Sequence, residues 1–308
     1  MDLARNWRPR FTEWAVRNGY PLAPLVLVDA GAQGGIHPRW DSLGGRLVAH
    51  GFDPLAEAIA AIPPAPNRRY HCLALGAQDG EREIFLASES TATSFYPSGG
   101  SPYATDAAAE RTKGTRLVPV RSLDSLMREG AVPRADFIKI DCEGAEPEIL
   151  DGARGMLGEG VVAVEVETNF NVSATYPQSH FQAVSERLLS HGFVLQDIAF
   201  DRVRTQSFVE RARHLGIGLP VSRARPATCN ALFCRAGAPR NADALIKRAI
   251  VLELYGMCDA AFHDLTAHKA MLPPGADWPS AADLLIRRPS LAALARHVSA
   301  SIAHRLKR

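Results

Sequence analysis

The hydrophobic positions of this chain fall in short continuous runs, separated by stretches in which apolar residues recur at helical spacing. LVLVD (Leu25 to Asp29), RLVAHGFD (Arg46 to Asp53), RYHCLALG (Arg69 to Gly76), FIKID (Phe137 to Asp141) and VVAVEVE (Val161 to Glu167) read as strands, the continuous runs among them as strands buried on both faces. The AQDG turn leads into EREIFLA (Glu81 to Ala87), and its Asp-Gly step predicts a hairpin or tight turn. TRLVPVRSLDSL predicts an edge-like strand around Pro119, followed by a helix start. FVLQDIAF and CNALFCRA (Cys229 to Ala236) are late strands.

The intervening segments predict helices. One runs from about Leu3 to Arg17, and another, LAEAIAAI, is opened by Pro54. EGAEPEILDGARGML has acids in its first turn, where the helix dipole favours them, and HFQAVSERLLSHG (His180 to Gly192) ends on a capping glycine. This alternation over residues 24–236 predicts an α/β fold, a doubly wound and mostly parallel sheet. From about Asp243 onward strand signals cease, and DALIKRAIVLELYGMCDAAFHDL and AADLLIRRPSLAALARHVSASIAHRLKR are helical. The expected organisation is a helical segment at 1–23, an α/β domain at 24–238 and a helical extension at 239–308. The apolar face of that extension must be covered by its own sheet, by the substrate cleft or by a second copy in a homodimer.

Composition narrows the function classes. With 35 Lys and Arg against 33 Asp and Glu, the net charge is +2, which argues against a dedicated nucleic-acid binder. An apolar content of 46% and a charged content of 22% exclude a disordered chain. The five cysteines are odd in number and none is spaced as CxxC, so neither a disulfide framework nor a zinc site is indicated and a reducing cytoplasm is the simplest location. The N-terminal residues carry no apolar signal-peptide region, and no apolar run approaches the ~20 residues of a membrane span.

In a doubly wound sheet, ligands bind at the carboxyl ends of the strands. Those ends carry Asp29, Asp53, Gly76, Asp141 and Glu167. The turn AGAQGG after the first strand lets backbone approach a ligand, but Gln33 and Ile36 stand where a dinucleotide fingerprint needs glycines. A carboxylate ahead of such a turn would repel a pyrophosphate and suits a ligand bearing an ammonium group, as S-adenosylmethionine does. Asp53 is placed to accept both hydroxyls of a ribose. The plainer alternatives are that Asp29 caps a helix and that Asp53 begins a turn before Pro54. In ADFIKIDCEGAEPEILDGA, Asp141, Glu143 and Glu146 crowd one turn, and clustered carboxylates raise one another's pKa and can act as bases. Lys139 alternates with Asp141 and is expected on the same strand face; a structural Lys–acid pair is the alternative.

VDAGAQGG, FDP, LGAQDG with STATSF, VRSLDSL and above all DFIKIDCEGAEPEILDGA, followed by VEVET and a Phe–Tyr–Phe loop, resemble the FkbM family of S-adenosylmethionine-dependent methyltransferases. The resemblance runs from about Leu25 to Arg235, with Cys142 standing where the family often has an aliphatic residue. It implies a class I methyltransferase fold, a seven-stranded Rossmann-like sheet with the last strand antiparallel, and O-methylation of a hydroxyl on a sugar, polyketide or related metabolite. By position it implies that Asp29, Gly31, Ala32, Gln33 and Gly34 line the methionine and ribose end of the cofactor. Asp53 and Pro54 would hold the ribose, and Gly76 and Ala77, with Asp79 nearby, would border the adenine. Asp141 would sit beside the sulfonium and the acceptor.

Methyl transfer to a hydroxyl calls for a base or a metal beside the acceptor. The expected base comes from Asp141 and Glu143, with Glu167 as orienter. A divalent-cation variant would use Asp141, Glu167 and Asn169, an oxygen set suited to Mg²⁺ or Ca²⁺, but no spacing rule ties these three together and no metal is assigned. His37 reads as a substrate contact or a cap, His180 as structural, and SESTATSF as a lid, an acceptor contact or a plain surface loop. The competing functions are a nucleotide-dependent oxidoreductase and a non-catalytic binding protein on a methyltransferase fold. A small-molecule or glycan acceptor is the expected partner.

Overall fold

A computed structural model of the chain describes residues 8–97, 112–158, 160–170, 179–217 and 222–286. Seven strands form the central sheet: Leu25–Ala30 (β1), Leu47–Asp53 (β2), Arg68–Cys72 (β3), Phe137–Ile140 (β7), Ala163–Asn169 (β8), Phe193–Val203 (β9) and Arg225–Arg235 (β10). Their order is β3-β2-β1-β7-β8-β10-β9. The first five run parallel, and β10 is antiparallel to both neighbours. This is the sheet of the class I methyltransferase fold, with its last strand reversed, as the continuous apolar runs and the resemblance predict.

Three further strands, Ala74–Leu75 (β4), Gly80–Ala87 (β5) and Thr112–Arg121 (β6), make a small sheet in the order β4-β6-β5. The predicted strand over Arg69 to Gly76 is therefore two strands. The Leu73 N–H bonds back to the His71 carbonyl at 3.0 Å, and this bend hands the chain from one sheet to the other. The Asp-Gly step makes a tight turn and no hairpin, because β6 inserts between β4 and β5 and pairs Val120 with both Ala74 and Gly80. β4 reaches only Val120 and Arg121, so β6 is still an edge on that side at Pro119.

Helices cover both faces. On one, Leu123–Arg128 (α3), Glu146–Asp151 (α4), Arg154–Gly158 (α5) and Phe181–Ser190 (α6) share an apolar cluster with the small sheet and with Val28, Ile138 and Val164. The short helix Ala56–Ala60 (α2) follows β2. On the other face, Arg10–Arg17 (α1), Ala242–Leu254 (α8), Cys258–Ala267 (α9) and Trp278–Asp283 (α10) pack on Leu25, Leu27, Phe137 and Leu232. The C-terminal helices thus cover their own sheet. α8 also holds α1: the fully buried Glu253 carboxylate accepts the Phe11 and Thr12 N–H groups at 3.1 and 2.7 Å. In the same helix, Lys247 pairs with Asp136 at 2.9 Å, and Asp136 in turn accepts the Val26 N–H.

Two predicted helices are broken, each at a glycine. The stretch from Asp243 to Leu265 divides at Gly256, whose φ of 79° terminates α8. The helix after FIKID divides at Gly152, where a Cβ would overlap the carbonyl oxygen of Gly76. Asp124 then restarts it as α5 by accepting the Gly155 and Met156 N–H groups at 2.8 and 2.9 Å. The N-terminal helix begins at Arg10, and the predicted part before residue 8 lies outside the described residues, as do 287–308 of the final helical stretch. Gln206–His214 (α7), between β9 and β10, is an exposed polar helix without the apolar stripe that marks a core helix in a sequence. Among the described residues no helix is long and apolar enough to cross a membrane.

Candidate active site

A cavity of about 380 Å³ opens at the carboxyl ends of β1, β2, β7 and β8, walled on its far side by the small sheet. That volume suits a cofactor-sized ligand. The turn after β1 forms its floor. The N–H groups of Gly31 and Ala32 both bond the Phe52 carbonyl at 3.0 Å, which ties this turn to the end of β2. Gly31 has a φ of 81°, and a Cβ there would overlap the backbone oxygen of Asp141. Only glycine lets the β1 and β7 ends approach so closely.

Asp53, at the end of β2, is buried, and one carboxylate oxygen accepts the Leu55 N–H at 2.8 Å. Burial raises its pKa above the ordinary aspartate value, and it lines the cavity beside Pro54. It therefore begins the turn before α2 and also belongs to the cavity wall. Phe52, Leu55, Leu75, Ile84 and Phe95 supply an apolar wall nearby.

The opposite wall is built by the β7–α4 loop. Glu146 is fully buried and folds back to accept the Cys142 N–H at 2.9 Å, the Gly144 N–H at 3.0 Å and the Ser179 hydroxyl. These bonds hold a turn in which Glu143 has a φ of 53°, unusual for a residue with a side chain, and Gly144 one of 111°. The Ser94 hydroxyl donates to the Glu143 carbonyl at 2.6 Å and pins the turn from the small-sheet side. Glu146 is thus a structural residue of the loop. Burial pushes the Cys142 thiol well above its ordinary pKa, so it stays protonated; the side chain is partly buried, packs against the core and lines the cavity.

Asp141, Glu143 and Glu167 each offer a carboxylate oxygen within 4.8 Å of the others. Asp141 and Glu167 share a hydrogen bond. Burial works against the charge of both. For Asp141, the hydrogen bond from Glu167 and the charge of Lys139 outweigh burial and hold its pKa below the usual value. For Glu167, burial and the neighbouring carboxylates act together and raise it. The opposed shifts are those of two close carboxylates that titrate as a pair and share one proton.

Lys139 sits beneath this pair, at 3.2 Å from Asp141 and 3.4 Å from Asp29. Strand register explains the contact: Asp29, Lys139 and Glu165 are lateral neighbours on β1, β7 and β8. Burial disfavours the ammonium, but the charges of Asp29 and Asp141 outweigh it and hold the pKa above the ordinary lysine value. Burial raises Asp29 to about 6 despite Lys139. Glu165 accepts the Tyr255 hydroxyl at 2.7 Å, which links the row to the end of α8.

Among the predicted site residues, Gly31, Gln33, Asp53, Pro54, Asp141, Glu143 and Glu167 line one cavity. Asp29 lies just below it, engaged with Lys139. Ala32 is buried under the turn, and Gly34 faces open space. Gly76 packs against Val120 and Gly152, Ala77 follows it on the same contact, and Asp79 accepts the Ser122 N–H at 2.8 Å, so none of these three is in the cavity wall. Asn169 is not among the residues that line the cavity, and its buried Oδ1 has no hydrogen-bond partner among the described residues. His37 and His180 both cap helices, accepting the N–H groups of Arg39 and Gln182. The SESTATSF stretch is no plain surface loop: Ser90, Thr91, Thr93, Ser94 and Phe95 line the cavity, and Ser90 accepts from Gln33 at 2.5 Å. The rest of that serine-rich stretch from residue 98, and 171–178 of the loop after β8 with its Tyr176, lie outside the described residues. Sequence reasoning missed the apolar wall, whose residues come from β2, β4 and β5 and from the loops after β2 and β5.

Comparison with solved structures finds low-identity likenesses. Methyltransferase FkbM from Methylobacillus flagellatus is 16% identical over 72% of this chain and 48% of that one, with a TM-score of 0.36. A putative S-adenosylmethionine-dependent methyltransferase from Listeria monocytogenes is 8% identical over 73% of this chain and 99% of that one, with a TM-score of 0.36. Magnesium protoporphyrin IX methyltransferase from Synechocystis, with S-adenosylmethionine bound, is 11% identical over 73% and 76%, with a TM-score of 0.33. Comparison with curated proteins yields no match. The sequence model of the methyltransferase FkbM domain matches residues 29–195, more than half of the chain and all of the strand ends that build the cavity. The chain belongs to the FkbM methyltransferase family.

Proposed function

We propose that this chain transfers a methyl group from S-adenosylmethionine to a hydroxyl oxygen of a small-molecule or glycan acceptor. The observation that carries the reading is the cluster of Asp141, Glu143 and Glu167 carboxylates, within 4.8 Å of one another, set in the same cavity as Asp53 and braced by Lys139 at 3.2 Å from Asp141. The residues fit the cofactor by their chemistry. An apolar wall of Phe52, Leu55, Ile84 and Phe95 suits an adenine, and Asp53 has a second oxygen left for a ribose hydroxyl. Clustered carboxylates suit a ligand that is cationic at sulfur and nitrogen. The bound cofactor supplies an electrophilic methyl on a sulfonium.

The residues of the chain do the rest. Asp141 orients the acceptor hydroxyl and takes its proton. A carboxylate with a depressed pKa is a weak base, but it suffices here, because a hydroxyl oxygen becomes strongly acidic as it gains a methyl group. Protonated Glu167 donates to Asp141 and fixes its rotamer. Lys139 keeps Asp141 ionised before the acceptor arrives.

A second reading, in which Asp141, Glu143 and Glu167 hold a divalent cation, draws on their mutual distances of at most 4.8 Å. The ammonium of Lys139, 3.2 Å from Asp141, favours the metal-free form. Transfer of isotopically labelled methyl to a panel of hydroxylated acceptors, with and without EDTA, tests both. Transfer that survives EDTA supports the carboxylate base; transfer abolished by EDTA and restored by Mg²⁺ replaces it with the cation. Binding of the cofactor with no transfer to any acceptor class supports a non-catalytic binding protein.

A further inference from the structure

Charge is unevenly distributed on this chain. Residues 201–225 carry six arginines against Asp201 and Glu210, an excess of four on a chain whose total is +2. The segment runs from the end of β9 through α7 to the start of β10. β10 is antiparallel to both β8 and β9, so the Val203 end of β9 lies at the same edge of the sheet as Glu167 and Asn169. The basic segment therefore stands at the cavity end of the molecule.

The same segment exposes large apolar side chains. Phe200, Phe208, Leu215 and Ile217 are each more than 40% exposed. Val209 and the buried Ala212 turn towards the protein, which leaves Phe208, Arg211 and Leu215 at i, i+3 and i+7, adjacent on the outer side of α7 and its C-terminal turn. Arg211, Arg213 and Arg223 are exposed and make no ion pair among the described residues. Arg202 and Arg204 donate to the carbonyls of Ala224 and Ser222 and so brace the two arms of the hairpin while keeping their charge.

We propose that the β9–α7–β10 hairpin is a docking surface for an anionic lipid bilayer, which brings the open end of the cavity to the membrane surface. Exposed arginines interleaved with aromatic and aliphatic side chains, on α7 and on the strand ends beside it, join charge attraction to apolar contact at an anionic interface. The arginines match anionic headgroups bidentately, and their stems extend along the apolar boundary. Leu215 and Ile217 decide between occupants: an aliphatic side chain gains from entering the acyl boundary and gains nothing from a phosphodiester backbone. The proposal stands apart from methyl transfer, since docking needs neither cofactor nor acceptor.

Flotation of the full chain with vesicles tests it. Binding to phosphatidylglycerol-rich vesicles, absence of binding to phosphatidylcholine vesicles and release by salt are expected. The double variant R211E/R213E should bind at least about tenfold more weakly, and F208S/L215S should also lose binding. All four positions are on the exterior, so unchanged circular dichroism and melting are expected for both variants. The proposal is overturned if the wild-type chain ignores anionic vesicles, if it binds neutral vesicles equally, or if R211E/R213E binds like wild type. It is also overturned if a single-stranded oligonucleotide binds through Arg211 and Arg213 while F208S/L215S leaves vesicle binding intact, because the surface is then a polyanion site.

Discussion

Glu146 and Glu167 lie close together at the β7 and β8 ends, and burial raises the pKa of both, yet they do different work. Glu146 is enclosed by donors, two backbone N–H groups and the Ser179 hydroxyl, and every one belongs to the loop architecture. Glu167 faces the cavity and its partner is Asp141, another acid. Burial of a carboxylate is common to both; only the second arrangement leaves a charge and a proton where a ligand can reach them. A raised pKa thus marks a site only together with access and an unusual partner.

Substitutions separate the two roles. Asp141→Asn should lower turnover by about 10²- to 10⁴-fold, the range for loss of a general base, with the melting temperature nearly unchanged. Steady-state kinetics beside a thermal melt checks this, and a variant that unfolds would move Asp141 to the structural class. Glu146→Ala should do the reverse. It strands the Cys142 and Gly144 N–H groups, costs about 3 kcal/mol, and lowers Tm by roughly 10 °C. An E146A protein as stable as wild type contradicts its role as loop anchor.

Lys139→Met tests the link between the regions, with an expected loss of about tenfold in turnover. Without the ammonium, the Asp141 pKa rises and the acid limb of the pH–rate profile moves to higher pH. Asp29, already raised to about 6, loses the one cation paired with it among the described residues. A buried carboxylate with a raised pKa binds its proton more tightly when folded, so it adds stability at low pH that is lost as pH rises through the folded value. K139M should therefore be least stable near neutrality and recover as pH falls below that of wild-type Asp29. Denaturant melts across pH measure it, and a penalty independent of pH would show that Asp29 is not the group left unpaired.

Glu167→Gln has the smallest effect. The amide mimics the protonated carboxyl that donates to Asp141, so turnover should stay within about tenfold of wild type. The wild-type chain loses stability as pH rises through the raised Glu167 value, by the same sign, whereas Gln cannot titrate. The alkaline decline in Tm should be shallower in E167Q, and an identical decline would remove the proton from Glu167.

Much of this was legible beforehand. The runs LVLVD and FIKID announce buried parallel strands, and the strand-end rule directs attention to Asp53, Asp141 and Glu167, which do meet in one cavity. Local pattern fails where the reason is tertiary. Nothing in RYHCLALG reveals that Leu73 bends from one sheet to another, and Gly152 and Gly256 break helices because of what lies opposite or what ends there. The cavity role of Ser90 to Phe95 and the loop-holding role of Glu146 both depend on contacts many residues away.

What the cavity binds decides between the competing functions. Calorimetric titration of S-adenosylmethionine, with NAD as control, into the wild-type chain and into Asp53→Ala measures it. S-adenosylmethionine should bind, NAD should not, and D53A should weaken binding by about tenfold or more through the lost ribose contact. Binding of NAD in preference, or S-adenosylmethionine binding indifferent to Asp53, contradicts the account.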